Sequence, residues 1–284
     1  ERAGVHSGDS MAIYPPLNLT NQEVETIIEY TTQIGIALGV KGLMNVQFVI
    51  VGGSAYRSPN DPQGKSDNTT VYVLEVNPRS SRTVPFISKV TGAPVVNLAT
   101  RVVLGKKIRD MGYKGGLWPR QDLVAVKAPV FSMSKLTGVD WYLGPEMKST
   151  GEVMGIDFEF KAAVTKALLA AELGMQDAGS VLLSIADRDK AGAVDLVRDL
   201  MKAGCNLYAT EGTAGMIQAL GGKVTMITKK LSEGRPNVVD VITDGTVTTV
   251  INTVSDVAST LRDGFHIRRA AAEIRTPCYT SLDT

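Results

Sequence analysis

From residue 180 onward, short β-prone runs at 180–186, 206–209, 223–227 and 246–251 alternate with helix-patterned segments such as 191–203. Antiparallel strands can follow one another through tight turns, whereas parallel strands need long crossovers that are usually helical. The alternation therefore predicts a doubly wound parallel sheet, an α/β fold. Upstream the pattern differs. Thr20-Asn21-Gln22-Glu23 is a capping box that predicts a helix running to Gly39, with Val24, Ile27, Ile28, Ile34, Ala37 and Leu38 on one face. Residues 44–51 and 70–76 read as a hairpin with a long polar loop, 87–105 as two short helices broken by Gly92 and Pro94, 123–131 as a strand, and 158–173 as an Ala/Leu-rich helix. Residues 143–155 lack periodicity and read as a binding or packing loop. With 174–179 as linker, two domains are expected, 1–172 and 173–284.

A chain of 284 residues, 44% hydrophobic, is long enough for two cores. Thirty basic against twenty-nine acidic residues leave a formal charge of +1, so no global field draws in nucleic acid or an anionic membrane, and any phosphate site must be local. Two cysteines without CxxC spacing are too few for a disulfide framework, and no apolar run is long enough to span a bilayer. A cytoplasmic setting is the expectation. The chain opens on Glu1 in a Gly/Ser-containing turn, which suggests a start inside a domain.

Within the predicted hairpin, Glu75 and Asn77 share one face of their strand and a partner strand can bring Gln47 beside them. Amide and carboxylate oxygens converging in this way suit Mg²⁺ or Mn²⁺, which complete their shells with phosphates and water. Arg79 and Arg82 follow closely enough to reach phosphate oxygens and offset charge in a transition state. The same residues also suit a surface hydrogen-bond and salt-bridge network, and spacing alone leaves both readings open.

The string LEVNPR at 74–79 resembles the metal-binding strand of ATP-grasp ligases, and EVNPRSSRTVPF at 75–86 is similar to carbamoyl-phosphate synthases. GLMNVQF at 42–48 and LGPEMKSTGEVMG at 143–155 extend the resemblance over essentially the whole chain. It implies the end of the second ATP-grasp half of a large subunit, followed by a methylglyoxal-synthase-like allosteric domain. By that resemblance Gln47, Glu75 and Asn77 hold metal, Gln47 and Glu75 also lie near ATP, and Arg79 contacts phosphate. Gly4, Val5, His6 and Ser7 match a segment lining the nucleotide site; read alone, His6 in a Gly/Ser turn is a surface residue. The implied reaction is phosphorylation of carbamate by ATP, after bicarbonate and ammonia have been combined, in pyrimidine and arginine synthesis. Ammonia would come from a glutaminase small subunit, and the full-length protein would be an oligomer.

In the second domain, Thr210-Glu211-Gly212-Thr213 follows a β run and opens a helix, where hydroxyls and amides suit a phosphate. Lys190, Lys230, Asn252 and Thr253 are expected at the same end of the sheet. The structural alternative is a capped turn with solvated lysines. The resemblance implies a UMP-like nucleotide effector. Val254 stands where some family members carry Thr, and Ala128 stands where ornithine-responsive members carry Glu, although Glu1 and Asp9 match other residues of that site. His266, in a run read as helical, is assigned a structural role rather than the catalytic one of a methylglyoxal synthase. Two alternatives stand beside the ligase: a regulatory fragment without turnover, and another ATP-grasp enzyme such as a biotin carboxylase.

Overall fold

A computed structural model describes residues 5–17, 19–52, 69–132, 143–175, 177–229, 234–253 and 258–282, with side chains from 264 in the last segment. The chain forms two compact units, neither continuous in sequence: Ala12–Lys127 with Ile156–Val164, and Glu1–Met11 with Ala128–Gly155 and Thr165–Thr284. These packing units divide the chain differently from the change of sequence pattern near residue 173.

The first unit contains β1 (Ala12–Tyr14), α1 (Asn21–Ala37), the hairpin β2 (Asn45–Val51) and β3 (Thr70–Asn77), α2 (Thr83–Thr91) and α3 (Val95–Val103). Helix α1 starts at the predicted capping box: Glu23 N–H donates to Thr20 Oγ1 and Thr20 N–H donates to the Glu23 carboxylate. It ends at Leu38, and Gly39 takes the left-handed φ of +60° that lets the chain turn away. Gly92, at φ +70°, separates α2 from α3 as expected, but α2 begins earlier, with Pro85 inside its first turn where a missing N–H costs nothing. β4 (Val124–Val130) lies between β1 and β5 (Gly151–Asp157). This corrects one expectation and adds a strand that sequence reading missed. The end of the 143–155 loop is a strand, specified by its pairing with β4 and hidden in the sequence by Gly151 and Gly155. β1 has three residues, too few for a period.

α4 (Phe160–Ala170) precedes the alternating region of the second unit: β6 (Ser180–Ser184), α5 (Val194–Lys202), β7 (Asn206–Ala209), α6 (Glu211–Ala219), β8 (Thr225–Met226), α7 (Val238–Thr243), β9 (Thr249–Asn252), α8 (Ala258–Glu273) and β10 (Cys278–Tyr279). The strand order is β10-β9-β6-β7-β8, parallel throughout. Neighbouring side chains point to opposite faces. Val181 and Leu183 of β6 pack with Val197, Leu200 and Ile217 of α5 and α6. Leu182 between them packs with Val241, Ile242 and Ile267 of α7 and α8. Helices thus cover both faces, as the alternation requires. Sequence reading missed β10, whose two residues are a strand only because they pair with β9. Among the described residues no helix is long and apolar enough to cross a membrane.

The Tyr279 hydroxyl donates to the Leu173 carbonyl, tying β10 to the segment after α4. Burial, with a smaller contribution from adjacent Cys278, pushes the Tyr279 phenol up to about 12. A pKa raised by folding gives stability that is full below the unfolded value of about 10 and is lost as pH rises through the folded one. Tyr279→Phe is expected to cost about 1–2 kcal/mol at neutral pH through the lost hydrogen bond. The gap to wild type should narrow between about pH 10 and 12, where only wild type has this phenol to ionise. Thermal midpoints measured at both ends of that range check it; a gap that does not change with pH would count against it.

Candidate functional sites

The β2–β3 register sets Gln47 opposite Glu75 and Asn45 opposite Asn77, with Leu74 bulged where the pairing shifts after Gln47. Because alternate residues share a face, Asn45, Gln47, Glu75 and Asn77 stand together on one side of the hairpin. Asn45 was not anticipated, although its position two residues before Gln47 was the available signal. Asn77 Nδ2 donates to Glu75 Oε1 at 3.0 Å, and Arg79 Nη2 lies 3.4 Å from Asn77 Oδ1. Arg79 Nη1 also donates to the Ser80 carbonyl at 2.9 Å. Glu75 and Arg79 are exposed, and Arg82 sits at the N-cap of α2. The face is thus both a hydrogen-bonded network and a cluster of hard oxygens, one carboxylate and three amides. That donor set fits Mg²⁺ or Mn²⁺. Among the described residues no group of three His, Cys, Asp or Glu side chains forms a competing metal site.

The turn carrying Val5, His6 and Ser7 is fastened to residues 143–150, while Gly4 lies outside the described residues. His6 N–H donates to the Gly144 carbonyl at 2.8 Å, and His6 Nδ1 accepts from Gly8 N–H at 3.0 Å. The main fastening is Asp9, fully buried, whose two carboxylate oxygens accept the Lys148 and Ser149 amides at 2.8 Å each. Gly8 packs so closely on Met147 that a Cβ there would lie 2.9 Å from its sulfur.

In the parallel sheet the connection from β6 runs to β7 on one side and that from β9 to β10 on the other, so the crevice at the carboxyl ends of β6 and β9 is the topological switch point, where open α/β sheets bind ligands. Four of the expected residues gather there. Thr213 Oγ1 accepts from Ile185 N–H at 3.0 Å and Thr253 Oγ1 accepts from Ala186 N–H at 2.8 Å, so the two hydroxyls brace the turn after β6 from either side. Thr210 Oγ1 lies 3.5 Å from Ser184 Oγ, and Asn252 Nδ2 donates to the Ser184 carbonyl at 3.2 Å. Lys190 comes to the first turn of α6: its Nζ lies 2.9 Å from where a Cβ on Gly212 would stand, so the missing side chain leaves room for the amine. Lys190 pairs with Asp187 at 2.6 Å, and this bond, then the charges of Lys190 and Lys229, holds the Asp187 carboxyl below its usual value. Lys230 lies outside the described residues; Lys229 is the second lysine felt at this end of the sheet. Sequence reading also missed Arg268, whose Nη1 donates to Asn252 Oδ1 at 2.9 Å from a fully buried position on α8. Its signal was a charged residue in helical register with Gly264 and Ala271. His266 is exposed on the other side of that helix, beside the Phe265 ring.

Two family models match separate stretches of the chain. Residues 2–111 match the carbamoyl-phosphate synthase L chain, ATP binding domain, and residues 192–280 match the MGS-like domain. Over its full length the chain is 54% identical to a carbamoyl phosphate synthase large chain of Thermomicrobium roseum, covering 25% of that protein. The chain matches the C-terminal part of carbamoyl phosphate synthase large chains. It is also 48% identical to the large chain of Thermoanaerobacter sp. strain X514, again over its whole length and 24% of the relative. It therefore spans about a quarter of the large chains it matches and corresponds to their C-terminal part. A methylglyoxal synthase from Elizabethkingia anophelis aligns with 38% of this chain and 75% of its own, at 19% identity and a TM-score of 0.30, a likeness too loose to place residues.

Proposed function

We propose that this chain supplies part of the site at which a complete large chain phosphorylates carbamate with ATP, giving carbamoyl phosphate and ADP, and that its second domain, 173–284, binds a regulatory nucleotide. The observation that carries the catalytic reading is the register that sets Gln47 against Glu75, with Asn77 and Arg79 in one hydrogen-bonded line. A bound Mg²⁺ or Mn²⁺ would neutralise phosphate charge. Gln47, Glu75 and Asn77 would hold that ion from two paired strands, while Arg79 and Arg82 orient phosphate oxygens. Two anions must meet in this reaction, so positioning and charge neutralisation matter more than a covalent nucleophile. In this reading the Asp9 clamp fixes the turn of Val5, His6 and Ser7 that lines the nucleotide, and a glutaminase small subunit delivers ammonia. ATP formation from carbamoyl phosphate and ADP by the complete large chain, with and without Glu75, tests it.

The hairpin is a two-stranded sheet with Tyr72, Val73 and Leu74 all exposed, which is marginal by itself. The 284-residue chain alone is therefore proposed to lack turnover; carbamate-dependent ATP hydrolysis by it, sensitive to Glu75→Ala, would contradict that.

For the regulatory reading, the Lys190–Asp187 pair is the useful observation, because Asp187 occupies the amine that a phosphate needs. Asp187→Asn is expected to tighten UMP binding by roughly three- to tenfold, and Lys190→Ala to weaken it by at least as much. Titration calorimetry on the complete large chain checks both; UMP affinity unchanged in the two variants would remove Lys190 from the site.

A further inference from the structure

Arg268 is a fully buried arginine that touches a residue of the proposed nucleotide site, and the chemistry of its contacts settles which end of that residue a ligand meets. A guanidinium only donates hydrogen bonds, so the Asn252 atom 2.9 Å from Arg268 Nη1 must be the carbonyl oxygen. A peptide carbonyl only accepts, so the Asn252 atom 3.2 Å from the Ser184 oxygen must be the amide nitrogen. The side-chain orientation is thus fixed twice over. With its oxygen engaged by Arg268 and one N–H engaged on β6, the side-chain donor Asn252 has left is its second N–H. Gly264 makes the arrangement possible, since a Cβ there would lie 2.7 Å from Arg268 Nη1 and 3.3 Å from Asn252 Oδ1.

We infer that Arg268 is a positioning residue that locks Asn252 with its N–H toward the switch-point crevice, making the floor a donor that selects the acceptor oxygens of a phosphate monoester. The inference rests on the reading of this crevice as a nucleotide site. Without the guanidinium only the 3.2 Å bond to the Ser184 carbonyl orients the amide, and its donor edge is held toward the anion less firmly. Ligands whose contact group is itself a donor are disfavoured by the same geometry.

The test measures binding of UMP and of inorganic phosphate to the complete large chain. Arg268→Met and Asn252→Leu are each expected to weaken both probes by roughly 10- to 100-fold, and the double variant by no more than either alone, because the two residues act as one unit. Equal loss for both probes marks an effect on the phosphate contact; general damage to the domain would also loosen the base and sugar of UMP and change the ratio. Should removal of a buried arginine prevent folding, two gentler variants carry the test. Gly264→Ala drives a methyl group against the Arg268–Asn252 pair, and Asn252→Asp presents an anionic oxygen to the crevice; both are expected to weaken the two probes. Wild-type affinity in these two, with Thr213→Val weakened, overturns the role of Arg268 while leaving the nucleotide site standing. Additive losses in the double variant overturn it as well. No binding of either probe to wild type overturns the nucleotide reading itself.

Discussion

Glu75→Ala in the complete large chain is expected to lower the rate of ATP formation from carbamoyl phosphate and ADP by about 10²–10³-fold, the scale of losing a major electrostatic contact to transferring phosphate. Glu75 is the only carboxylate on the hairpin face formed with Asn45, Gln47 and Asn77, so its removal takes the whole formal negative charge from the donor set. It also releases the Asn77 amide, which donates to Glu75 at 3.0 Å, and through it the Asn77 contact with Arg79. Glu75→Gln keeps the shape and an acceptor oxygen but not the charge. If charge is what matters, Gln should be nearly as damaging as Ala, and raising Mn²⁺ should recover part of the rate. Activity within a fewfold of wild type in both variants would return this face to a surface network. Glu75 is exposed, so neither change should shift thermal stability by more than about 0.5 kcal/mol, and a fall in rate cannot be attributed to unfolding.

Asp9→Ala is expected to have the largest effect on stability, about 3 kcal/mol or more. Two backbone amides, those of Lys148 and Ser149, are satisfied by one buried carboxylate, and hydrogen bonds to a charged group are each worth about 1.5–3 kcal/mol. Asp9→Asn should recover little of this, because an amide offers one acceptor oxygen and turns an N–H toward the second donor. Ser149→Ala, which loses a 3.0 Å bond from its hydroxyl to the Gly8 carbonyl but leaves the carboxylate clamp intact, should cost only about 1 kcal/mol. Denaturant midpoints of the three variants rank these effects. An Asp9→Asn protein as stable as wild type would show that the clamp contributes little. Proteolysis after residue 5 or near residue 145 should accelerate in Asp9→Ala in step with the lost stability, since the two segments hold each other down.

Much of the fold can be read from the chain because its physical causes are local. The Thr20–Glu23 capping box, the left-handed turns at Gly39 and Gly92 and the strand–helix alternation after residue 180 each depend on residues a few positions apart. The same holds for the shared face of Glu75 and Asn77, since alternation is built into any strand. The segments that escaped, β1, β5 and β10, are short or glycine-interrupted, and they are strands because β4 and β9 lie beside them. No local pattern encodes a partner strand, whether it lies 28 residues away, as for Cys278 and Val250, or 115, as for Ala12 and Lys127.

The candidate sites divide along the same line. Residue type and spacing singled out Gln47, Glu75, Asn77, Thr210, Thr213, Asn252 and Thr253 as groups able to meet phosphate or metal. Only the folded chain shows that Thr213 and Thr253 already brace the turn after β6, that Asp9 is engaged with two amides, and that Lys190 is paired with Asp187. Arg268 illustrates the difference best. By itself it is one arginine in a helix, and a charged side chain is ordinarily solvated. Burial against Asn252, under a glycine that leaves space for it, turns it into a group that fixes one amide's direction. Sequence determines which chemistry is present and which residues share an element; tertiary structure decides which donors and acceptors are already used, because hydrogen bonds depend on distances that the chain sets only once it has folded.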